Sequence, residues 1–346
     1  MNLLPALAAH AEATAHPTET TCACGPTTTL ADREDATVVR HAGTVAKAHA
    51  PGTDPTELSL RLTTAARLPE VLLAPLTSTV TPLHDRLVTL WPHGAPVDPD
   101  DPDAAPWEAV GTLLARLHRA APPTALPPMR GPAKAARAIA RLHAALSDTP
   151  HTAAPAAASR TEPAPTLAPD PAITPDPATA PDLAPRAAPA VLRAWAALPP
   201  WARAEAAMPG PAYLCHGDLH LGQLVRHPAP HGPWRLIDVD DLGVGVPAWD
   251  LARPAAWYAC GLLPPGEWTR FLTAYQRTGG PAVPSDGDPW AALDVPARAL
   301  TVQTAALAIT KAVAARRPLD VVEQALVDAC ARMVTVPRQL TGGHPD

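Results

Sequence analysis

A chain of 346 residues with 47% hydrophobic side chains has enough apolar material for one large domain or for two lobes. A net charge of −6 supplies no basic field, so neither nucleic acid nor an anionic membrane is expected as a partner. Five scattered cysteines, an odd number, fit reduced thiols in a cytoplasmic protein better than a disulfide framework.

Residues 1–26 open with Leu3, Leu4 and Leu7 but have no basic flank and no long apolar run. They read as neither a secretory signal nor an anchor, and the Ala- and Thr-rich remainder reads as poorly ordered. Cys22 and Cys24 form a lone C-x-C; without a second pair at ligand spacing they read as ordinary thiols rather than zinc ligands. Residues 36–40 and 44–49, joined by a short turn with Gly43, predict a β-hairpin whose second arm carries Lys47 between small apolar residues. Asp54-Pro55-Thr56-Glu57 predicts a helix start, with an N-cap, a first-turn proline and a capping-box glutamate. Leu58, Leu62 and Ala65 share its buried face. Residues 71–73 and 86–91 predict strands, the second carrying Leu90 and Trp91 into Pro92-His93-Gly94.

An acidic, turn-rich connector at 98–106 leads to a helix over 107–117, with Trp107, Val110, Leu113, Leu114 and Leu117 on one face. His118 lies in the basic end of that helix and reads as a capping or surface residue. A second helix covers 132–146. Residues 147–189 are Pro, Ala, Thr and Asp with almost no large side chain, the composition of a flexible, partly polyproline-II insertion. Helical pattern returns at 191–198 and 201–207. After Pro254 come helices at 267–277, 296–316 and 320–333; Arg298, Gln303 and Lys311 make the middle one buried rather than membrane-spanning.

The chemistry concentrates in Cys215-His216-Gly217-Asp218-Leu219-His220-Leu221-Gly222-Gln223 and in Leu236-Ile237-Asp238-Val239-Asp240-Asp241. The first stretch offers a carboxylate, Asp218, with a side-chain amide, Gln223, five positions on. The second offers Asp238 at the end of a strand, twenty residues after Asp218. Strands flanking 227–233 predict a hairpin that returns Asp238 towards Asp218. Metal-assisted phosphoryl transfer needs this set: one carboxylate to align the attacking hydroxyl, an amide oxygen and a second carboxylate to hold Mg²⁺. Asp238, Asp240 and Asp241 repel one another unless a cation neutralises them.

His216-Gly217-Asp218-Leu219-His220 through Gln223, then Ile237-Asp238, then Trp249-Asp250-Leu251-Ala252, resembles the aminoglycoside phosphotransferase family of kinase-like enzymes, strongly over 212–255 and weakly elsewhere. The resemblance implies an α+β, two-lobed protein-kinase-like fold. A small N-terminal antiparallel sheet lobe (27–95) would precede a larger, mainly helical C-terminal lobe (96–346). It implies ATP and Mg²⁺ as cofactors and a hydroxyl of a small molecule as acceptor: aminoglycoside-like, sugar or amino alcohol. Asp218 becomes the base or substrate-orienting carboxylate, and His216 a structural residue bound to backbone. Gln223, where the family usually has Asn, and Asp238 become the metal ligands, with Asp240 a second ligand or a turn residue. Lys47 becomes the phosphate-gripping lysine, or else a surface lysine on an edge strand. Glu57 becomes its helix partner or remains a cap, with Glu70 the other candidate. Leu90 and Trp91 fall at the strand and hinge that face adenine, although Trp91 also reads as core. Asp250 reads as an N-cap that braces the catalytic loop. His220 is left between phosphates and backbone. Trp257, Tyr258, Glu267, Trp268 and Asp294 are candidate acceptor contacts. The departure is the missing Gly-rich loop, since 27–35 contains no glycine. That absence and Gln223 keep open a nucleotide-binding pseudokinase or scaffold, beside a Ser/Thr kinase acting on a peptide in natural-product tailoring.

Overall fold

Alternation of small or β-branched side chains with polar ones builds the first sheet. In this computed structural model, which describes residues 3–18, 23–101, 104–148 and 183–335, β1 (Thr28–Asp32), β2 (Thr37–His41), β3 (Thr44–Ala48), β4 (Thr81–Leu83) and β5 (Arg86–Pro92) form an antiparallel sheet in the order β1-β2-β3-β5-β4. The register sets Lys47 opposite Val38 on one side and Thr89 on the other. Successive strand residues face opposite ways, so Lys47, Thr89 and Trp91 share one face while Ala46, Ala48, Val88 and Leu90 share the other.

That second face is covered by α1 (Leu3–Ala15), whose Leu7 and Ala11 are fully buried in a cluster with Val39, Ala46, Ala48, Val88 and Leu90. The N-terminal stretch read as poorly ordered thus includes a docked helix. An alanine-rich run has high helix propensity, and a large and a small apolar side chain four positions apart pack on a sheet face of alanines and valines.

On the Lys47 side, α2 (Pro55–Arg67) starts as its sequence predicts: Asp54 caps it by accepting from the Thr56 and Glu57 amides at 2.8 and 2.9 Å. Residues 71–73, predicted as a strand, form only a bridge, with Leu72 beside Leu236 and the Leu73 amide donating to the Leu236 carbonyl at 2.8 Å. The short β6 (Ala95–Pro96) leads to α3 (Trp107–Arg119).

Residues 1–131 with 207–297 make one compact unit, and 132–206 with 298–346 a second. The second contains most of α4 (Gly131–Ser147), α5 (Leu183–Ala196), which packs on α9 (Val321–Thr335), and the later part of α8 (Trp290–Ala315). The predicted Pro/Ala-rich insertion falls mostly at 149–182, outside the described residues, while 183–189 belong to α5. The first unit continues with β7 (Tyr213–Cys215), β8 (Leu224–Arg226), β9 (Trp234–Leu236), β10 (Gly243–Gly245), α6 (Ala252–Ala259) and α7 (Pro265–Arg277). Its main core joins Leu58 and Leu62 of α2, Leu114 and Leu117 of α3, Leu214, Leu224 and Leu236 from the short strands, and Phe271 and Tyr275 of α7. The class is α+β: a small N-terminal antiparallel-sheet lobe followed by a larger helical lobe from α3 to α9, a two-lobed kinase-like fold. Among the described residues no helix is long and apolar enough to cross a membrane.

Candidate active site

Two loops frame the site. The first follows β7, which pairs with β10 so that Cys215 faces Gly243. Its backbone is anchored by Asp250: the His216 and Gly217 amides donate to Oδ2 and Oδ1 at 2.6 and 2.7 Å. Asp250 is buried and also lies 3.0 Å from His118 Nε2, whose Nδ1 stands 2.7 Å from the Tyr275 hydroxyl. Burial alone would raise the Asp250 pKa, but the His118 hydrogen bond and charge, with further help from His216 and the Gly217 amide, hold it below the usual carboxylate range. Asp250 is therefore a loop brace rather than an N-cap, since α6 is capped at Leu251 with no side-chain bond. His118, read as a cap or surface residue, is buried because its ring joins Asp250, just before α6, to Tyr275 of α7. Gly217 has φ +84°, and a Cβ there would collide with the Asp241 carbonyl, so the two loops touch at a position only glycine suits.

The second loop, 237–242, is stitched to the first. His216 Nε2 lies 2.8 Å from the Ile237 carbonyl, and the Ile237 amide donates to the Gln223 carbonyl at 2.9 Å. Asp238 has φ +65°, a left-handed conformation rare for a non-glycine residue. Gln223 is buried, and its side-chain amide reaches Asp238 Oδ2 at 3.4 Å. The pairing of β8 with β9 is the hairpin that makes this approach possible.

Lys47 enters from the sheet. Its Nζ lies 2.7 Å from Asp238 Oδ1 and 2.9 Å from Asp240 Oδ2. Burial alone would lower its pKa; the Asp240 and Asp238 carboxylates outweigh that and hold it above the ordinary lysine value. Asp240 is held far below its ordinary value, because the Lys47 and His49 charges overcome burial. His49, two residues after Lys47 and so on the same face, is buried. Its Nδ1 lies 2.9 Å from Asp240 Oδ1, and its Nε2 2.8 Å from Thr89 Oγ1. Trp91 Nε1 donates to the same hydroxyl at 2.8 Å.

Glu57 and Leu90 have other partners here. Glu57 does not partner Lys47: its Oε2 is 3.1 Å from both Arg61 and Arg130, which draw it away, while Asp240 occupies the lysine's second position. Glu70 turns to Arg235 at 3.4 Å. Leu90 points its side chain into the α1 cluster, on the face opposite Lys47, and its carbonyl accepts from the Leu76 amide at 2.9 Å. Trp91 alone of that pair shares the Lys47 face. The buried Arg61 donates from Nε to the Leu242 carbonyl at 2.9 Å, tying α2 to the second loop.

Asp218 projects from the first loop with its carboxylate about a quarter exposed, and Arg253 Nη2 donates to its Oδ1 at 3.0 Å. Arg253 Nε also donates to the Leu219 carbonyl at 3.0 Å. His220 accepts the Gly222 amide at 3.1 Å; burial, then Arg253, lower its pKa to about 4, so it is neutral at ordinary pH. Beside Arg253 a small pocket is lined by Trp107, Val110, Leu219, Leu221, Pro254 and Trp257. Sequence reading missed Arg253, His49 and Arg61. The signals available were an arginine three residues after Asp250 and a histidine in phase with Lys47; Arg61 sits in an ordinary amphipathic helix and gave none.

Asp238, Asp240 and the Gln223 amide provide an oxygen donor set, the kind Mg²⁺ prefers. Asp240 Oδ1 is buried, with His49 Nδ1 2.9 Å away. These residues fit a divalent cation.

The model of the phosphotransferase enzyme family matches residues 36–293, more than half of the chain. Among solved structures the chain is similar to a choline/ethanolamine kinase family protein from Mesorhizobium loti, with TM-score 0.53 and 16% identity over 96% of this chain and 94% of that one. It is similar to spectinomycin phosphotransferase solved with ADP and spectinomycin, with TM-score 0.52 and 14% identity over 90% and 89%. A thermostable mutant of an aminoglycoside phosphotransferase, solved with AMP-PNP and hygromycin B, gives TM-score 0.53 and 12% identity over 93% and 98%. Likeness at these identities is likeness of fold. No curated protein matches the sequence.

Proposed function

The chain belongs to the phosphotransferase enzyme family, and from that premise we propose that it transfers the γ-phosphoryl group of ATP to a hydroxyl of a small molecule. The observation that carries this reading is the convergence of Lys47, Gln223, Asp238 and Asp240 at the two stitched loops, the first of which also carries Asp218. Lys47 binds and orients phosphate oxygens. Asp238, Gln223 and Asp240 hold Mg²⁺, which when bound neutralises phosphate charge. Asp218 aligns the acceptor hydroxyl in line with the phosphorus and receives its proton as the new bond forms. Trp91, on the Lys47 face, borders the nucleotide.

Beside Asp218 the acceptor side carries a small apolar pocket and an arginine. Trp107, Trp257, Leu219, Leu221 and Pro254 line the pocket, and Arg253 sets a positive charge beside Asp218.

Hydroxylated acceptors, spanning aminoglycosides, sugars, amino alcohols and aryl or alkyl alcohols, would be incubated with γ-labelled ATP and either the native chain or Asp218→Asn. The expected result is label on one of these alcohols, lost by about 10²–10⁴-fold in the variant while nucleotide binding persists. Full transfer by Asp218→Asn would remove that residue from its role. Label on a peptide and on no small molecule would favour the peptide-kinase reading, and binding without transfer a scaffold.

A further inference from the structure

We propose that His16, Cys24 and His41 form a zinc site that fastens α1 to the first sheet. The three come from separate places: the residue following α1, the segment before β1, and the end of β2. One ligand atom from each lies within 4.8 Å of the other two, and Cys24 Sγ is 3.3 Å from His16 Nε2. Ligand atoms bound to a tetrahedral zinc at about 2.0–2.3 Å stand roughly 3.3–3.8 Å apart. The cluster is therefore near the spacing a metal would impose.

The surrounding hydrogen bonds prepare His41 for that role. Thr27 Oγ1 donates to Glu12 Oε1 at 2.9 Å, which uses its only proton. At 3.1 Å from His41 Nδ1 the same oxygen must then accept, so Nδ1 carries a proton and the neutral ring has its lone pair on Nε2. Glu12 Oε1 itself is 3.8 Å from Nδ1. A metal-bound imidazole commonly has this outer arrangement, its second nitrogen donating to an oxygen backed by a carboxylate. His41 is 2% exposed, whereas Cys24 is exposed.

One thiolate and two imidazoles are the borderline-soft donors that select zinc over magnesium or calcium. On binding, Cys24 releases its thiol proton to solvent, and Glu12 offsets the remaining positive charge. The fold also gives the site a purpose. Leu7 and Ala11 are the fully buried apolar side chains of α1, and a metal joining its end to β2 adds an attachment that this small apolar footprint lacks. Spacing along the sequence gave Cys24 no second ligand pair; folding brings it two histidines. Cys22 lies outside the described residues.

The test uses the full chain without an affinity tag, freed of loose metal by gel filtration. Elemental analysis should find about one zinc per chain, and Cys24→Ser and His16→Ala should each lower it at least severalfold. Cobalt(II) added to the apo chain should give a near-ultraviolet thiolate charge-transfer band and visible bands of tetrahedral cobalt, the former absent in Cys24→Ser. Circular dichroism identifies variants that fold, and removal of zinc should lower the melting temperature of the native chain but not of folded Cys24→Ser. Absence of zinc after reconstitution, with no cobalt charge-transfer band, would show that Cys24 and His16 share a simple thiol–imidazole contact and would overturn the proposal. Unchanged zinc content in both variants would overturn it equally.

Discussion

Lys47 Nζ stands 2.7 Å from Asp238 Oδ1, although 191 residues separate the two in the chain. The contact joins the sheet to the second loop, and Asp240 completes it at 2.9 Å. Lys47→Met would leave two partly buried carboxylates without their cation. The expected loss is about 1–3 kcal/mol of stability, read from urea denaturation, with a fall in kcat/KM for ATP of about 10²-fold. Lys47→Arg keeps the charge but not the compact ammonium, so it should recover stability better than turnover. Equal activity of native chain and Lys47→Met would exclude phosphate binding by this residue.

The choice of partner made by Lys47 yields a second prediction. Glu57 is bound by Arg61 and Arg130 near the surface, so Glu57→Gln should change stability by no more than about 1 kcal/mol and leave ATP turnover within a few-fold. Asp240→Asn removes a carboxylate from Lys47 and His49 and should lower kcat/KM more than tenfold. Steady-state assays of both variants decide the matter; the opposite ranking would mean that Glu57 swings to Lys47 during turnover.

What the sequence made legible was local. Asp218, Gln223 and Asp238 could be picked out because each sits in a short motif, and strand alternation placed Lys47 inside the sheet. The identity of the lysine's partner was not local: α2 offers Glu57 at a plausible position, and only the folded chain shows two arginines competing for it. His118 looked like a basic helix end because its acceptors, Asp250 and Tyr275, lie 132 and 157 residues away. Leu90 and Trp91 were read together from chain order as a strand presenting backbone groups; the fold adds that their side chains face opposite sides, with α1 covering Leu90. The docking of α1 was hidden because alanine-rich sequence signals a helix far better than it signals a binding face.

Arg253 holds Asp218 Oδ1 at 3.0 Å and the Leu219 carbonyl at the same distance, which fixes the carboxylate against its own loop. Arg253→Gln should leave the KM for ATP unchanged and reduce kcat/KM for the acceptor about 10–100-fold, the loss expected when a reacting group is misplaced. A rise in ATP KM with unaltered acceptor kinetics would assign this arginine to the nucleotide instead.

Asp250 should reveal itself through acid stability. Despite burial, which acts the other way, His118 and the loop amides hold its carboxylate below the ordinary range. A depressed folded-state pKa means that the unfolded chain takes up the proton first as pH falls. The stabilisation is then complete above the unfolded value of about 3.9 and disappears as pH drops through the lower folded value. Asp250→Asn can accept one loop amide but turns its own N–H groups towards the other donors, so it should cost about 2–4 kcal/mol at pH 7. Urea denaturation from about pH 8 to pH 3 should give a constant difference between native chain and variant until about pH 4, then a narrowing one. A gap that closed between about pH 7 and pH 5 would instead tie the cluster's strength to a titrating histidine, and the carboxylate would not be the group that sets it.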